Sequence, residues 1–225
     1  LRSLYMLRRP PRSRASSPAE HMCRCDTARV DAHLRPWVAD DAPALANAMR
    51  TSPDLAAQFP GGVPSTELDF VSYMAQHLVS GTAKHDLAII VDGIAVGNVG
   101  LSNIEHVHQT GWAYYWLAKG ARGRGLATRG LATIADLAFT ELGLFRLELG
   151  HRTGNAASCR VASRAGFRPE GIERQKLRYG KQRFDVETHA RLTLDPVPDI
   201  ELIPRTASLA GPRQPDLTRP DLGTA

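Results

Sequence analysis

The stretch GWAYYWLAKGARGRGLATRGLATIADLAFTEL, residues Gly111–Leu142, decides the fold. Its aromatic-rich beginning predicts a strand over Trp112–Leu117. A turn rich in glycine and arginine follows over Lys119–Gly125, and Gly143 stands where the C-terminal cap of a helix is expected. Apolar residues between these two points recur at helical spacing and predict a long amphipathic helix: Leu131, Ile134, Ala135, Ala138 and Leu142.

A strand, a glycine turn and a helix in this order predict a binding site for an anion. The first amides of a helix have no acceptor within the helix, and the helix dipole favours negative charge there. Gly123 and Gly125 carry no Cβ, so a phosphate can approach the backbone closely, while Arg122 and Arg124 add positive charge. A flexible connection with two surface arginines is the alternative, but a helix that begins within the glycine pattern favours the phosphate site.

The turn resembles a signature of one enzyme family. Arg122–Ala127, RGRGLA, fits the Arg/Gln-x-x-Gly-x-Gly/Ala pattern of the GCN5-related N-acetyltransferases (GNAT), whose loop holds the pyrophosphate of acetyl-CoA. The resemblance continues through LGLFRLELGHRTGNAASCRVASRAGFRPEG, Leu142–Gly171, which is similar to the ribosomal-protein-alanine/serine N-acetyltransferase branch; weaker similarity covers about residues 34–194. It implies acetyl-CoA as co-substrate and a pyrophosphate loop made of Arg122, Gly123, Arg124, Gly125, Leu126, Ala127 and Thr128.

The predicted elements follow the order β-α-α-β-β-β-α-β-α-β-β, which is an α+β architecture with helices on both faces of a mixed sheet. Asp92-Gly93 predicts a hairpin between strands at His85–Val91 and Ile94–Leu101. The resemblance implies a GNAT-like sheet of about seven strands. Its fourth and fifth strands, Trp112–Leu117 and Leu144–His151, are expected to splay apart so that the pantetheine arm of the co-substrate threads the gap.

The chain of 225 residues suits one domain with a tail at each end. Residues 1–28 are predicted to be a disordered basic arm, 29–194 the N-acetyltransferase domain and 195–225 a disordered, Pro-rich tail. The net charge is +5, of which residues 1–22 contribute +4, so the basic character says little about nucleic-acid binding by the folded part. An arm that touches RNA or the ribosome is the alternative for residues 1–22.

Composition also limits the partners and the compartment. No run approaches the roughly 20 apolar residues of a membrane helix, and the N-terminus lacks the apolar run of a signal peptide. We expect a cytoplasmic protein whose partners are a CoA thioester and an amine, not nucleic acid or a membrane. Cys23, Cys25 and Cys159 form neither a disulfide framework nor a zinc set, and no metal is expected. Homodimers are common in the resembled family, although no interface signature is visible.

The resemblance implies the groups that act on the thioester. Backbone amides along Tyr115–Leu117, comprising Tyr115, Trp116 and Leu117, hold the co-substrate, and a backbone N–H in the region of Tyr115 donates to the oxyanion. Asn155 contacts the pantetheine arm, and Ser158 approaches the sulfur, where it can protonate the leaving thiolate. Alternatively, Asn155 is a simple helix cap and Ser158 a first-turn polar residue.

Two other residues near this motif have alternative readings. Tyr179 is the alternative acid, since many members of the family use a tyrosine. Cys159 is expected to be buried and inert, because a covalent route needs an adjacent base and the sequence shows none.

The proton acceptor stays open at this stage. Relatives often carry a glutamate at the position of Trp112, and some carry one at the position of Leu177; both carboxylates are missing here. The remaining candidates are Glu105, His106, His108, Glu148, His151, Asp185 and Glu187. Phe59, Phe70 and Tyr73 are expected either to line the acceptor site or to be ordinary core residues.

Together these features predict an acetyl-CoA-dependent N-acyltransferase, a transferase that acts on a primary amine by direct attack in a ternary complex. The amine is a protein N-terminus or a small molecule. The alternative is a non-catalytic acyl-CoA-binding module of the same fold, which the two missing glutamates leave open.

Overall fold

A computed structural model describes residues 30–56, 63–206 and 209. Predictions for the N-terminal arm up to residue 29, for Phe59 and for residues 210–225 lie outside the described residues. No helix in the described part is long and apolar enough to cross a membrane.

Within the described residues, seven strands form one sheet in the order β1-β2-β3-β4-β5-β7-β6. Among these seven strands β4 and β5 are the one parallel pair, and all other neighbours are antiparallel. The predicted α+β class and GNAT-like mixed sheet are thereby confirmed. The strands are β1 Ala32–Pro36, β2 His85–Val91, β3 Ile94–Glu105, β4 Thr110–Leu117, β5 Arg146–Arg152, β6 Arg168–Tyr179 and β7 Gln182–Leu192.

In the part of the chain that the structure describes, five α-helices cover the two faces of the sheet: α1 Ala42–Thr51, α2 Pro53–Ala56, α3 Glu67–His77, α4 Leu126–Thr140 and α5 Ala156–Arg164. The larger apolar core lies between the sheet and α4 with α5, and the smaller one joins α1 and α3 to Trp116 of β4. The predicted amphipathic face of α4 is buried, with Leu131 and Ile134 fully inaccessible. The Thr66 hydroxyl caps α3 by accepting from the Asp69 N–H at 3.2 Å.

The hairpin at Asp92-Gly93 is confirmed, and both residues take the positive φ values, 51° and 77°, that such a turn requires. β3 is longer than predicted and ends at Glu105, which pairs with Thr110. The connection left between the predicted strands Ile94–Leu101 and Trp112–Leu117 therefore shortens to a turn of four residues, 106–109. The sequence did not predict this end of β3, because one face of the strand is exposed there and carries polar residues.

The first part of the predicted disordered tail is packed on the domain, which corrects the prediction for residues 195–206. The Leu34 N–H donates to the Pro204 carbonyl at 2.8 Å, and the Thr206 N–H donates to the Leu34 carbonyl at 3.0 Å. Ile203 is 2 % exposed, and its N–H donates to the Thr133 hydroxyl at 2.8 Å. The segment covers the otherwise unpaired edge of β1 with backbone bonds, which composition alone does not reveal.

Candidate active site

A gap opens between β4 and β5. The two strands pair only where Thr110–Trp112 meets Arg146–Glu148. Past this point the rest of β4 pairs with β3 alone, and the rest of β5 pairs with β7 alone. The splay that the resemblance implies is therefore present, and it exposes the backbone edge of residues 113–117.

The register of β3 and β4 decides which amides face this gap. The Ala118 N–H donates to the Val96 carbonyl at 2.9 Å, so the even-numbered residues of β4 direct their N–H groups to β3. The odd-numbered residues Tyr115 and Leu117 consequently direct theirs into the gap. The Leu117 carbonyl, on the same edge, accepts from Arg122 Nε at 3.1 Å. Tyr115 N–H is thus an edge donor of the kind an oxyanion needs.

Trp116 does not belong to the gap, which corrects its place in the predicted co-substrate set. It stands opposite Asn98 in the ladder, so its amide bonds to β3. Its side chain lies on the face of the sheet that α1 and α3 cover, and the centroid of its ring is 5.8 Å from that of Trp37. Trp116 therefore supports the helices on that face.

The glycine turn has the geometry of an anion site. Gly125 is the N-terminal cap of α4 with φ +76°, Gly123 has φ +78°, and neither has an atom within 4 Å of a notional Cβ. The first backbone bond of the helix runs from the Arg129 N–H to the Gly125 carbonyl at 3.0 Å. No side chain of the described residues caps the helix, so the amides of Leu126, Ala127 and Thr128 are available to a ligand.

A cavity of about 390 Å³ adjoins this helix start. Arg164 at the end of α5 lines it together with the packed C-terminal segment, residues 198–200. Residues 198–200 were not among the predicted site residues, because the tail was expected to be disordered.

The arginines of the turn divide into two roles. Arg122 binds the Leu117 carbonyl and pairs with Asp54 at 2.9 Å, so its guanidinium turns towards α2 and fastens the turn to β4. Arg129 donates to the Val30 and Glu201 carbonyls. Arg124 is exposed and makes no hydrogen bond or ion pair within the described part of the chain. It is the predicted loop arginine whose charge is free for an anion.

Ser158 and Tyr115 meet across the gap at the start of α5. The Asn155 side chain caps the helix by accepting from the Ser158 N–H at 3.1 Å, and this leaves the Asn155 amide group free to donate. The Tyr115 hydroxyl donates to the Ser158 carbonyl at 3.4 Å, and burial raises the pKa of Tyr115. Tyr179, the alternative acid, lies in the β6–β7 hairpin, with its ring against Phe184 and beneath Arg152.

The face that carries α1 and α3 has an aromatic surface beside the gap. Trp112, at the position expected for a glutamate, lies against Gly150, whose notional Cβ would be 3.2 Å from the indole. Lys176 sits over the same ring at 5.1 Å. Phe70 and Tyr73 are buried core residues, and burial raises the pKa of Tyr73 to about 12.

The same face also holds a buried carboxylate, which was not among the predicted residues. Asp86 on β2 is 1 % exposed and accepts from the Tyr114 hydroxyl and from the Asn98 amide, both at 2.8 Å. Gly100 lies between Asp86 and Tyr114 in the sheet, and a Cβ there would be 2.7 Å from the tyrosine ring. The signal in the sequence was the single acid in the apolar run HDLAIIV.

The structure sorts the candidate bases by position. Glu105 accepts from the N–H groups of Val107 and His108, in the turn that also holds His106. That turn precedes β4 at its paired end, roughly 17 Å from Tyr115 at about 3.3 Å per residue. Asp185 accepts from the Gln175 N–H. These four candidates therefore serve turns and loops away from the thioester position.

The other candidates lie next to the gap, on opposite faces. His151 and Glu187 face each other in the β5–β7 ladder, and His151 is two residues from the core residue Leu149. Both side chains therefore point towards α5. Glu148 pairs with Trp112, so its side chain shares the aromatic face, at the last paired position before the gap. Arg146 binds its carboxylate at 2.7 Å. Glu148 is thus the carboxylate nearest in register to the missing glutamate.

A splayed parallel pair, an edge amide and an uncapped glycine-led helix start define the class of CoA-thioester-binding acyltransferase folds. Residues 32–168 match the family described as the Acetyltransferase (GNAT) domain, which is more than half of the chain. The protein belongs to the GNAT family.

Individual relatives agree with this membership. The chain is 38% identical over 88 residues to the Bacillus subtilis (strain 168) probable N-acetyltransferase YjcK, covering 39% of this chain and 49% of that protein. It is 30% identical over 107 residues to the putative ribosomal N-acetyltransferase YdaF of the same organism, covering 48% and 58%. The chain thus matches about half the length of these curated relatives.

Among solved structures, Mycobacterium smegmatis RimJ in complex with CoA-disulfide superposes with a TM-score of 0.56. The two proteins are 27% identical, and the match covers 71% of this chain and 81% of RimJ. RimJ is thus a relative whose structure holds CoA, as a disulfide, on a similar fold.

Proposed function

We propose that the protein is an acetyl-CoA-dependent N-acyltransferase that transfers an acyl group to a primary amine by direct attack in a ternary complex. The observation that carries the proposal is the gap between β4 and β5, with the Tyr115 N–H on one rim and Ser158 on the other. Membership of the GNAT family and the CoA bound by RimJ support the choice of donor.

The donor half of the site uses backbone groups. The amides of Leu126, Ala127 and Thr128 would hold a pyrophosphate, with Arg124 as the nearby cation. The edge of β4 at Tyr115 and Leu117 would pair with the amide-bearing pantetheine arm as with another strand. Tyr115 N–H would then donate to the thioester oxygen as negative charge develops there, and such donors are worth about 2.7–4 kcal/mol in the barrier.

Two side chains would move protons. Ser158 would protonate the thiolate as the carbon–sulfur bond breaks, since its hydroxyl makes no hydrogen bond within the described residues. Glu148 would accept the ammonium proton through water, because it is the candidate carboxylate that shares a face of the sheet with Trp112, where the amine would bind. An alkylamine with a pKa near 10.4 is mostly protonated at neutral pH, so an acceptor is required.

The acceptor surface favours a partly apolar amine. Trp112 and Tyr114 occupy the face beside the gap, and Lys176 lies over Trp112. A protein N-terminus with a small or apolar first residue fits this surface better than a polycation does, because Lys176 would repel further positive charge.

A thiol-release assay tests the proposal. Acetyl-, succinyl- and longer acyl-CoA are each offered with a mixed library of peptides and small amines, and free CoA is measured. We expect acetyl-CoA turnover with peptide N-termini or monoamines. CoA binding without release for any amine would favour the non-catalytic acyl-CoA-binding module.

Replacing Ser158 separates chemistry from binding. Ser158→Ala should lower kcat by about 100-fold, the lower end of general acid–base contributions, with less than about a threefold change in the Kd for CoA. Ser163→Ala, an exposed serine on the same helix, is the matched control and should leave both unchanged. An unchanged kcat in Ser158→Ala would remove the acid role and return attention to Tyr179.

Replacing Glu148 tests the proton acceptor. Glu148→Gln should lower kcat about tenfold at neutral pH, and the defect should shrink as pH rises because more of the amine is already unprotonated. Glu170→Gln is the control, since Glu170 also binds Arg146. Equal defects in both variants would assign the effect to Arg146 and refute the role of Glu148.

A further inference from the structure

Four side chains with metal-binding atoms converge beneath the start of α5. His151 lies on β5, Glu187 and His189 on β7, and Cys159 on α5. The pairs His151–Glu187 and Leu149–His189 face one another in the ladder, so the three sheet residues share the face that α5 covers. One ligand atom from each of the four residues lies within 4.8 Å of the others. We propose that these residues form a binding site for Zn²⁺.

The distances among the three sheet ligands are close to those around a tetrahedral ion, and the Cys159 sulfur lies within 4.8 Å of each of them. His151 Nε2 is 3.1 Å from His189 Nε2, and Glu187 Oε2 is 3.6 Å from the first and 3.8 Å from the second. Bond lengths of about 2.0–2.3 Å to nitrogen, oxygen and sulfur at tetrahedral angles separate the ligand atoms by about 3.3–3.6 Å. The side chains of His151 and His189 are 4% and 0% exposed, whereas that of Glu187 is 28% exposed, so the two imidazoles are screened from water and the carboxylate opens to it.

The second nitrogen of each ring strengthens the case. His151 Nδ1 is 3.0 Å from the Arg152 carbonyl, and His189 Nδ1 is 3.4 Å from the Phe167 carbonyl. A carbonyl accepts only from a protonated nitrogen, so both rings are set to carry hydrogen on Nδ1 and a lone pair on Nε2. Two lone pairs at 3.1 Å repel unless a cation lies between them. A carbonyl on Nδ1 is also the usual second contact of a histidine that binds metal.

The ligand types select zinc. Two imidazoles, one thiol and one carboxylate form a mixed nitrogen, sulfur and oxygen set that suits Zn²⁺ better than Mg²⁺ or Ca²⁺. Binding releases the Cys159 thiol proton to solvent as the sulfur–zinc bond forms. Four protein ligands leave no open position, so the ion is a structural clamp between β5, β7 and α5. It would hold the helix turn that presents Asn155 and Ser158.

The binding test uses tag-free full-length protein in a Cys23→Ser/Cys25→Ser background, so that Cys159 is the remaining thiol. Zinc is added, excess is removed by gel filtration, and metal and protein are quantified. We expect about one zinc per chain. Cys159→Ser and His189→Ala should each weaken zinc binding by more than about 100-fold, since even loss of a second contact costs 10–100-fold. His108→Ala, in the exposed turn before β4, is the control.

Cobalt(II) identifies the ligands directly. The cobalt-loaded protein should show a thiolate-to-metal charge-transfer band that is absent from Cys159→Ser and present in His108→Ala. Cys159→Ser replaces one atom at a partly buried position, so it decides the matter if His189→Ala fails to fold. No stoichiometric zinc, or equal zinc binding in Cys159→Ser, would overturn the site. A proton shared between the two histidines would then account for their approach.

Discussion

Gly125→Trp should abolish CoA binding, weakening the Kd by at least about 1,000-fold, which corresponds to about 4 kcal/mol. Gly125 caps α4, and the space around its notional Cβ is empty. An indole there would fill that space and cover the amides of Leu126, Ala127 and Thr128. The pyrophosphate would lose both its hydrogen bonds and its approach to the positive end of the helix.

The backbone cost of this change has to be separated from its effect on binding. Gly125 has φ +76°, and a residue with a Cβ pays about 1–2 kcal/mol in that region. Gly143→Trp is the matched control, because Gly143 has φ +66° and an equally open surrounding at the opposite end of the same helix. Both variants should lose similar free energy of unfolding.

Calorimetric titration with CoA and a thermal melt on each variant provide the comparison. Gly143→Trp should bind CoA within about threefold of wild type, because residue 143 lies at the opposite end of α4 from the anion site. Normal affinity in Gly125→Trp, or equal loss in both variants, would refute the phosphate loop.

The geometry of the glycine turn could be predicted from the sequence because it depends on local physics. Positive φ at Gly123 and Gly125 and an uncapped helix start require only neighbouring residues. The role of Arg122 could not be predicted in this way. Its partners, Asp54 and the Leu117 carbonyl, come from a different helix and a strand end, and only the folded chain brings them together.

Trp116 shows where strand patterning stops being informative. Alternation predicts that neighbouring residues of β4 point to opposite faces, but it does not say which set of amides meets β3. The register with Asn98 decides that, and it depends on where the β3–β4 turn falls. The predicted turn was too long, so the edge donors could be narrowed to Tyr115 and Leu117 only from the structure.

The four side chains of the proposed zinc site could not be predicted from the sequence for the same reason. His151, Cys159, Glu187 and His189 are spread over 39 positions of the chain and lie on three elements. Metal motifs visible in sequence place ligands a few residues apart, whereas this set depends on β5 and β7 lying side by side. The C-terminal segment was missed because Pro-rich composition outweighed the apolar Ile200, Ile203 and Leu209.

Asp86→Ala should cost about 3–5 kcal/mol in the free energy of unfolding at neutral pH, because the Asn98 amide and the Tyr114 hydroxyl would each lose a buried acceptor at about 1–3 kcal/mol. The Asp86 carboxylate faces Lys84 at 2.9 Å and accepts from Asn98 and Tyr114. Asn98 is fully buried, so its amide has no water to replace the lost acceptor. The melting temperature should fall by roughly 6–20 °C for a domain of this size.

Two further variants and a pH series define the cause. Asp31→Ala removes an exposed carboxylate and should change stability by less than about 0.5 kcal/mol, whereas Tyr114→Phe removes one hydrogen bond and should cost about 1–2 kcal/mol. Burial raises the pKa of the Asp86 carboxyl, against the hydrogen bonds that lower it. The stability linked to its protonated form is complete below the unfolded pKa and is lost as pH rises through the folded pKa.

The advantage of wild type over Asp86→Ala should therefore shrink as pH rises from about 4, near the unfolded pKa of an aspartate, towards neutrality. Denaturant titrations of both proteins at several pH values measure it. A difference that grows with pH would mean that the pairing with Lys84 outweighs burial.

Because the Asp86 carboxylate anchors Tyr114, Asp86→Ala should also raise the KM for the amine more than that for the thioester. Equal changes in the two KM values would show that Tyr114 does not face the acceptor.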